Sequence, residues 1–314
     1  ISFTVLAGCE SDKTETLQDS IVESTAISNF DPANSVIPYP NDLLFAGSLD
    51  GTVNIPGTLS APQVAINALD GFSTTAPITA GFTGPIQASS LDGDSIKLYE
   101  VTLSPTGAPR DQGGAAIGII KTLAYGSEYV AAVSSVDSTG SSLAILPLVP
   151  LNASSAYYAV ITDSLKSSDG NQMGVSGAYA YAKLTTALEV GGVSQIPALS
   201  DAEAVALEPL RMQVSASEGA ISALDTDLDS ANIIMSWTFS TQSIGDVLTV
   251  VKTLTGTPTT TLLPFMGDIF GTGAGKSPLG AANIHTGTID FPYYLTAPSV
   301  GDPTANLTKP WQAA

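Results

Sequence analysis

The hydrophobic pattern turns to a two-residue period from about residue 94. Ser95 to Thr102 (SIKLYEVT) alternates, and Tyr129 to Val133 is a short apolar run. Leu143 to Leu146 precedes a proline, and Tyr157 to Thr162 (YYAVIT) carries the strongest strand signal. Asp169-Gly170-Asn171 then signals a turn, and Ala178 to Leu184 (AYAYAKL) alternates again. Each run is predicted as a strand. Ser200-Asp201-Ala202-Glu203 is a capping box that opens a helix of roughly 20 residues. Val205, Leu210, Val214 and Ile221 form its loose apolar stripe, and Pro209 is expected to kink or divide it. Ile233 to Phe239 (IIMSWTF) reads as a buried strand and Ile244 to Lys252 as a short amphipathic helix. His285 to Leu295 reads as one more strand, with Pro292 near its end.

The rest is weakly patterned. Residues 29–60 carry Pro32, Pro38 and Pro40, then Asp50-Gly51 as a turn before Thr52 to Ile55. Residues 61–90 read as loop, and residues 255–280 lack periodicity. Short strands between turn signals predict a mainly β chain. The expected fold is an Ig-like β-sandwich with an irregular N-terminal extension and one or two appended α-helices. The expected divisions are 1–8, the end of a signal peptide; 9–28, a flexible tether; 29–92, an irregular N-terminal segment; and 93–190, the sandwich. Residues 191–254 add a helix and the SWTFSTQS strand, and 255–314 lead toward a further domain.

Composition narrows the function classes. Of 314 residues, 10 are basic and 29 acidic, giving a net charge of −19. No basic patch could neutralise several phosphates, so nucleic acid is not an expected partner. Charged residues are only 12%, so Ser, Thr, Gly, Asn and Gln must build much of the surface. One Cys excludes an internal disulfide. No stretch approaches the ~18 apolar residues that a spanning helix needs.

Candidate chemistry fails motif by motif. Gly271 to Ser277 (GTGAGKS) has Phe270 where a phosphate loop needs glycine, and Pro278 follows at once. Asp225, Asp227 and Asp229 are spaced like a calcium loop, but Ser230 and Ser236 stand at the required Gly and Glu positions. There is no G-x-S-x-G; Ser73 and Ser176 sit in the nearest misses. Gly93-Asp94-Ser95-Ile96 resembles the GDSL-type esterase block, yet a strand is predicted after it and no Asp-x-x-His follows. His285 is the only histidine, so any Ser–His–Asp triad would need it. Its neighbour Asp290 would point to the opposite strand face. One His and one distant Cys cannot share a zinc site. The expectation is no catalytic residue, no metal and no cofactor in this chain.

Cys9 follows Leu6-Ala7-Gly8, and a polar acidic stretch, Glu10 to Ser28, follows it. The LAGC block resembles the bacterial lipobox, whose Cys is lipidated. The resemblance implies an outer-membrane lipoprotein, exposed at the surface or released, with Cys9 as its membrane anchor. Glu10, a residue other than Asp, agrees with the outer membrane. A buried structural Cys is the alternative.

Residues 30–57 (with PNDLLF), Leu69 to Ile78 (LDGFSTTAPI), Pro150 to Asn171, Ser236 to Ser243 (SWTFSTQS) and Thr286 to Pro298 form an ordered series. These blocks resemble the N-terminal domain of bacterial virulence-factor lipases. The resemblance implies a C-terminal α/β-hydrolase domain as partner, a lipid or ester as substrate of the whole protein, and no catalytic residue here. A non-catalytic surface lipoprotein with an Ig-like adhesion or glycan-binding module is the competing reading.

Overall fold

The computed structural model describes residues 26–55, 57–245, 249, 252–253, 259–262, 287–290 and 299–305. The chain divides into two compact units between Ser243 and Ile244. The first unit contains β1 (Ile78–Gly81), β2 (Ile96–Leu103), β3 (Ala116–Thr122), β4 (Tyr129–Val133) and β5 (Ser142–Pro147). It continues with β6 (Ala156–Thr162), β7 (Glu189–Val190), β8 (Val193–Ser194) and β9 (Ile233–Ser240). Its helices are α1 (Ala61–Asn67), α2 (Gly177–Ala182) and α3 (Asp201–Leu224).

Two antiparallel sheets form a sandwich, in the orders β3-β2-β6-β9 and β1-β5-β4. The fold is mainly β, as the pattern predicts. The sheets share one core: Ile96, Leu98, Tyr157, Ala159, Ile161 and Phe239 from the larger meet Ile78, Tyr129, Leu143 and Ile145 from the smaller. The Tyr129 hydroxyl reaches across to donate to the Ile96 carbonyl at 2.7 Å. The other face of the larger sheet is covered too. Tyr99, Val101, Tyr158 and Val160 pack there with Ile221 of α3. Strands β2 and β6 are therefore buried on both faces, which is why β6 reads as an almost unbroken apolar run.

Several expectations change. Ala178 to Leu184 is not a strand: Gly177–Ala182 is helix α2. Ser176 caps it, its side chain accepting from Tyr179 N, and Tyr179 and Ala182 are buried three positions apart. The Ala-Tyr alternation fits either period over so short a run. Residues 61–90 hold helix α1, opened by a Ser60/Gln63 capping box, and strand β1. Pro209 does not divide α3. It lies on the exposed face, where water can take the carbonyl bond that proline cannot supply. Val205 is 46% exposed, and Ala204 takes the buried position instead. The unpredicted hairpin β7–β8 turns through Gly191 and Gly192, at φ of 62° and 82°. Positive φ at both turn residues matches the twist of a tight hairpin.

In the second unit, β10 (Thr259–Leu262) pairs antiparallel with β11 (Gly287–Asp290). Strand β10 falls in the stretch read as patternless. Strand β11 falls inside the predicted strand His285 to Leu295. The predicted helix Ile244 to Lys252 lies largely outside the described residues.

Candidate functional site

Strand β9 pairs with β6 on one side only. Its other side is a row of backbone groups that would be open to a second strand or to water. The N-terminal segment occupies that edge. The Ser28 hydroxyl donates to the Ile234 carbonyl at 3.4 Å. Phe72 N donates to Ser240 O at 2.8 Å, and Gln242 N donates back to Phe72 O at 2.8 Å.

Asp42 is the centre of this seam. A short 3-10 turn, Asp42–Phe45, presents it, and the Asn41 side chain caps that turn by accepting from Leu43 N at 2.9 Å. The Asp42 carboxylate accepts from Ser240 N at 2.7 Å, from Ser240 Oγ at 2.9 Å and from Gly113 N at 3.4 Å. Burial drives its pKa up to about 6, against the pull of the Ser240 hydroxyl, the two backbone N–H groups and the Arg110 charge.

Arg110 clamps the end of the same strand. Its guanidinium donates to Thr241 O at 2.9 Å and to the Asp70 carbonyl, and lies 3.3 Å from the Asp70 carboxylate. Asp70 in turn accepts from Ser243 N at 3.2 Å. The last residues of the first unit are thus held by two loops at once.

A second polar group lies beneath α3. Glu218 accepts from the Tyr179 hydroxyl at 2.6 Å and lies 3.7 Å from Lys183 Nζ. Tyr179 and Tyr158 both meet the Ser236 hydroxyl, at 2.6 and 2.7 Å. Lys183 also donates to Ser230 O at 2.8 Å and to the Ile233 carbonyl. Burial raises Glu218 to about 7, with Lys183 and the Tyr179 bond opposing. The same burial raises the Tyr158 and Tyr179 phenols well above their usual range.

The sequence-nominated serines do other work. Ser73 Oγ accepts from Thr75 N and Ala76 N in an exposed turn. Ser95 is buried at the start of β2, where its hydroxyl donates to the Asp92 carbonyl and accepts from Asp92 N. Ser176 caps α2 and donates to Phe30 O. The acidic run does not converge on one point. Asp225 takes the Tyr99 hydroxyl at 2.7 Å and faces Lys97 at 3.6 Å, while Asp229 caps a 3-10 turn. Asp227 and Asp229 line a hollow with Asp94, Asp163 and Lys97. Among the described residues, no group of three His, Cys, Asp or Glu could hold a metal ion. No described helix is long and apolar enough to cross a membrane. Cys9, the Gly271 to Ser277 loop and His285 lie outside the described residues, as does the side chain of Asp290.

Asp42, Arg110 and Glu218 were not singled out from the sequence. Glu218 had a readable signal: it sits between Val214 and Ile221 on the buried stripe of α3, a poor place for an unpartnered carboxylate. Arg110 is one of only two arginines, with Arg211, but nothing local marks its partners.

A family model described as bacterial virulence factor lipase N-terminal matches residues 16–261. The chain belongs to this family. Three of the blocks that carry the likeness meet at the seam: PNDLLF supplies Asp42, LDGFSTTAPI supplies Asp70, and SWTFSTQS supplies Ser240 and Ser243. No curated protein matches the chain. Among solved structures, it is similar to surface layer protein SbsC, domains 1–6, at 14% identity and a TM-score of 0.20. That match covers 32% of this chain and 11% of the other. The N-terminal part of the same S-layer protein matches at 14% identity and a TM-score of 0.20, covering 33% and 19%. The chain thus spans well under a fifth of the first protein and about a fifth of the second.

Proposed function

We propose that this chain is the non-catalytic N-terminal part of a bacterial lipase or phospholipase, whose ester hydrolysis belongs to a C-terminal α/β-hydrolase domain. The observation that carries the reading is the family match over residues 16–261. The engagement of Ser73, Ser95 and Ser176 in local turns and caps supports the non-catalytic role. In this reading Cys9 is lipidated, and the chain is tethered to the outer membrane through residues 9–28. The sandwich then acts as a rigid spacer and a docking body for the hydrolase domain.

The test starts with the source DNA past the codon for Ala314. A continuous frame encoding strand, G-x-S-x-G and helix is expected. The 314-residue chain should hydrolyse no p-nitrophenyl ester, and the longer product should. Hydrolysis by the chain alone, abolished by His285→Ala, would overturn the non-catalytic assignment. A stop soon after Ala314 would shift the reading to a surface lipoprotein with an adhesion or glycan-binding sandwich.

A further inference from the structure

Among the described residues, two buried side-chain N–H groups have no partner: Asn41 Nδ2 and Trp237 Nε1. Their residues are 3% and 5% exposed. An unpaired buried N–H is rare in folded proteins and costly, so each such donor calls for an acceptor. Asn41 cannot solve the problem by turning its amide over. Its oxygen already accepts from Leu43 N at 2.9 Å, which fixes the nitrogen on the other side.

Both residues line the same cavity, between the N-terminal segment, α3 and β9. Leu43, Leu210 and Val214 give it apolar walls, while Ser236 and Thr238 bring hydroxyl groups. Its volume is about 20 Å³. One water needs roughly 10–15 Å³ on this measure, so there is room for a water and none for an organic ligand. A water also needs two to four polar partners, and the two unpaired nitrogens supply two of them.

We infer that this cavity is a specific site for one buried water, which accepts from Asn41 Nδ2 and Trp237 Nε1. The site joins the PNDLLF segment to the SWTFSTQS strand a second time, beside the direct bonds of Asp42. It makes the seam partly wet.

The test is NMR on the ¹⁵N-labelled 314-residue chain. There are only two tryptophans, so Trp311→Phe identifies the Trp237 indole signal by elimination. The Trp237 indole proton and the Asn41 amide protons should both show cross-relaxation to water, with the sign of a molecule bound for longer than the protein tumbles. A crystal structure should show one spherical peak within about 3.2 Å of both nitrogens. Absence of the cross-relaxation at either group would overturn the proposal. So would a peak that touches one nitrogen only, or density larger than a water.

Discussion

Asp42 and Ser240 are 198 residues apart in sequence, yet the Asp42 carboxylate accepts both the Ser240 backbone N–H and its hydroxyl. The contact joins two of the blocks that carry the family likeness, PNDLLF and SWTFSTQS. It also solves a physical problem, because it closes a backbone donor on the open edge of β9. Replacing Asp42 by Ala would strand Ser240 N, Ser240 Oγ and Gly113 N. Leaving buried donors unmet costs about 1–3 kcal/mol each at most sites, so a loss of roughly 3 kcal/mol is expected. Asp42→Asn, which keeps one acceptor oxygen, should lose less. Urea unfolding of the three proteins measures this; a shift under about 0.5 kcal/mol for Asp42→Ala, the range of ordinary surface changes, would contradict the role.

The sandwich was legible because its strands obey local rules. Tyr157 to Thr162 and Ile233 to Phe239 are rich in β-branched and aromatic residues, and their burial on both faces reinforces the signal. The α3 cap was legible for a similar reason, since Ser200 and Glu203 meet within one turn. The seam was not. Asp42 sits in a proline-rich stretch without period, and its partner lies almost a full domain away along the chain. Nothing near Asp42 distinguishes it from a solvated turn residue. Helix α2 was misread because six residues of Gly, Ala and Tyr satisfy a strand period as well as a helical one. Its true partner, Glu218, comes from another helix.

Gly71 tests how closely the seam is packed. A Cβ there would collide with the Thr241 carbonyl group and Gln242 N, which are backbone atoms and cannot rotate away. Gly71 has no positive φ, so the constraint is close approach and not backbone conformation. Gly71→Ala should therefore break the Phe72–Thr241 bridge and cost about 1–3 kcal/mol, the range for overpacking. Gly177→Ala meets no atom and should be neutral or mildly stabilising, since it opens a helix. Equal melting temperatures for the two variants would refute the packing argument.

Arg110 should be irreplaceable by Lys. The guanidinium serves the Thr241 carbonyl, the Asp70 carbonyl and the Asp70 carboxylate from one planar group. An ammonium keeps the charge but not the fork. Arg110→Lys should leave the overall fold intact and free residues 241–243 locally, where Ser243 N loses its ordered acceptor. Hydrogen exchange should rise at Gln242 and Ser243 while the β6 amides remain protected. Unchanged exchange at those two amides would show that the Phe72 bonds hold the strand end without the clamp.

The buried carboxylates set a pH dependence with an unusual sign. Asp42 rises from 3.8 to about 6 and Glu218 from 4.5 to about 7, both because burial penalises the charged form. Between the unfolded and folded values, the folded chain keeps a proton that the unfolded chain has released. Stability therefore falls as pH rises through this window, which runs from about 4 to about 7. Below it both states are protonated, and above it both are ionised, so these two groups add no slope. At ~1.4 kcal/mol per unit, Glu218 alone is worth roughly 3 kcal/mol across its window. Carboxylates whose pKa values are lowered, Asp50, Asp137 and Glu203 among them, act in the opposite sense, at lower pH. Glu218→Gln separates the effects. Glutamine can still accept from the Tyr179 hydroxyl, and it does not titrate. The wild-type urea midpoint should fall relative to the variant between pH 5 and 7, since only the wild type gains a buried charge there. Parallel midpoints over that range would mean that Lys183, 3.7 Å away, holds Glu218 ionised throughout.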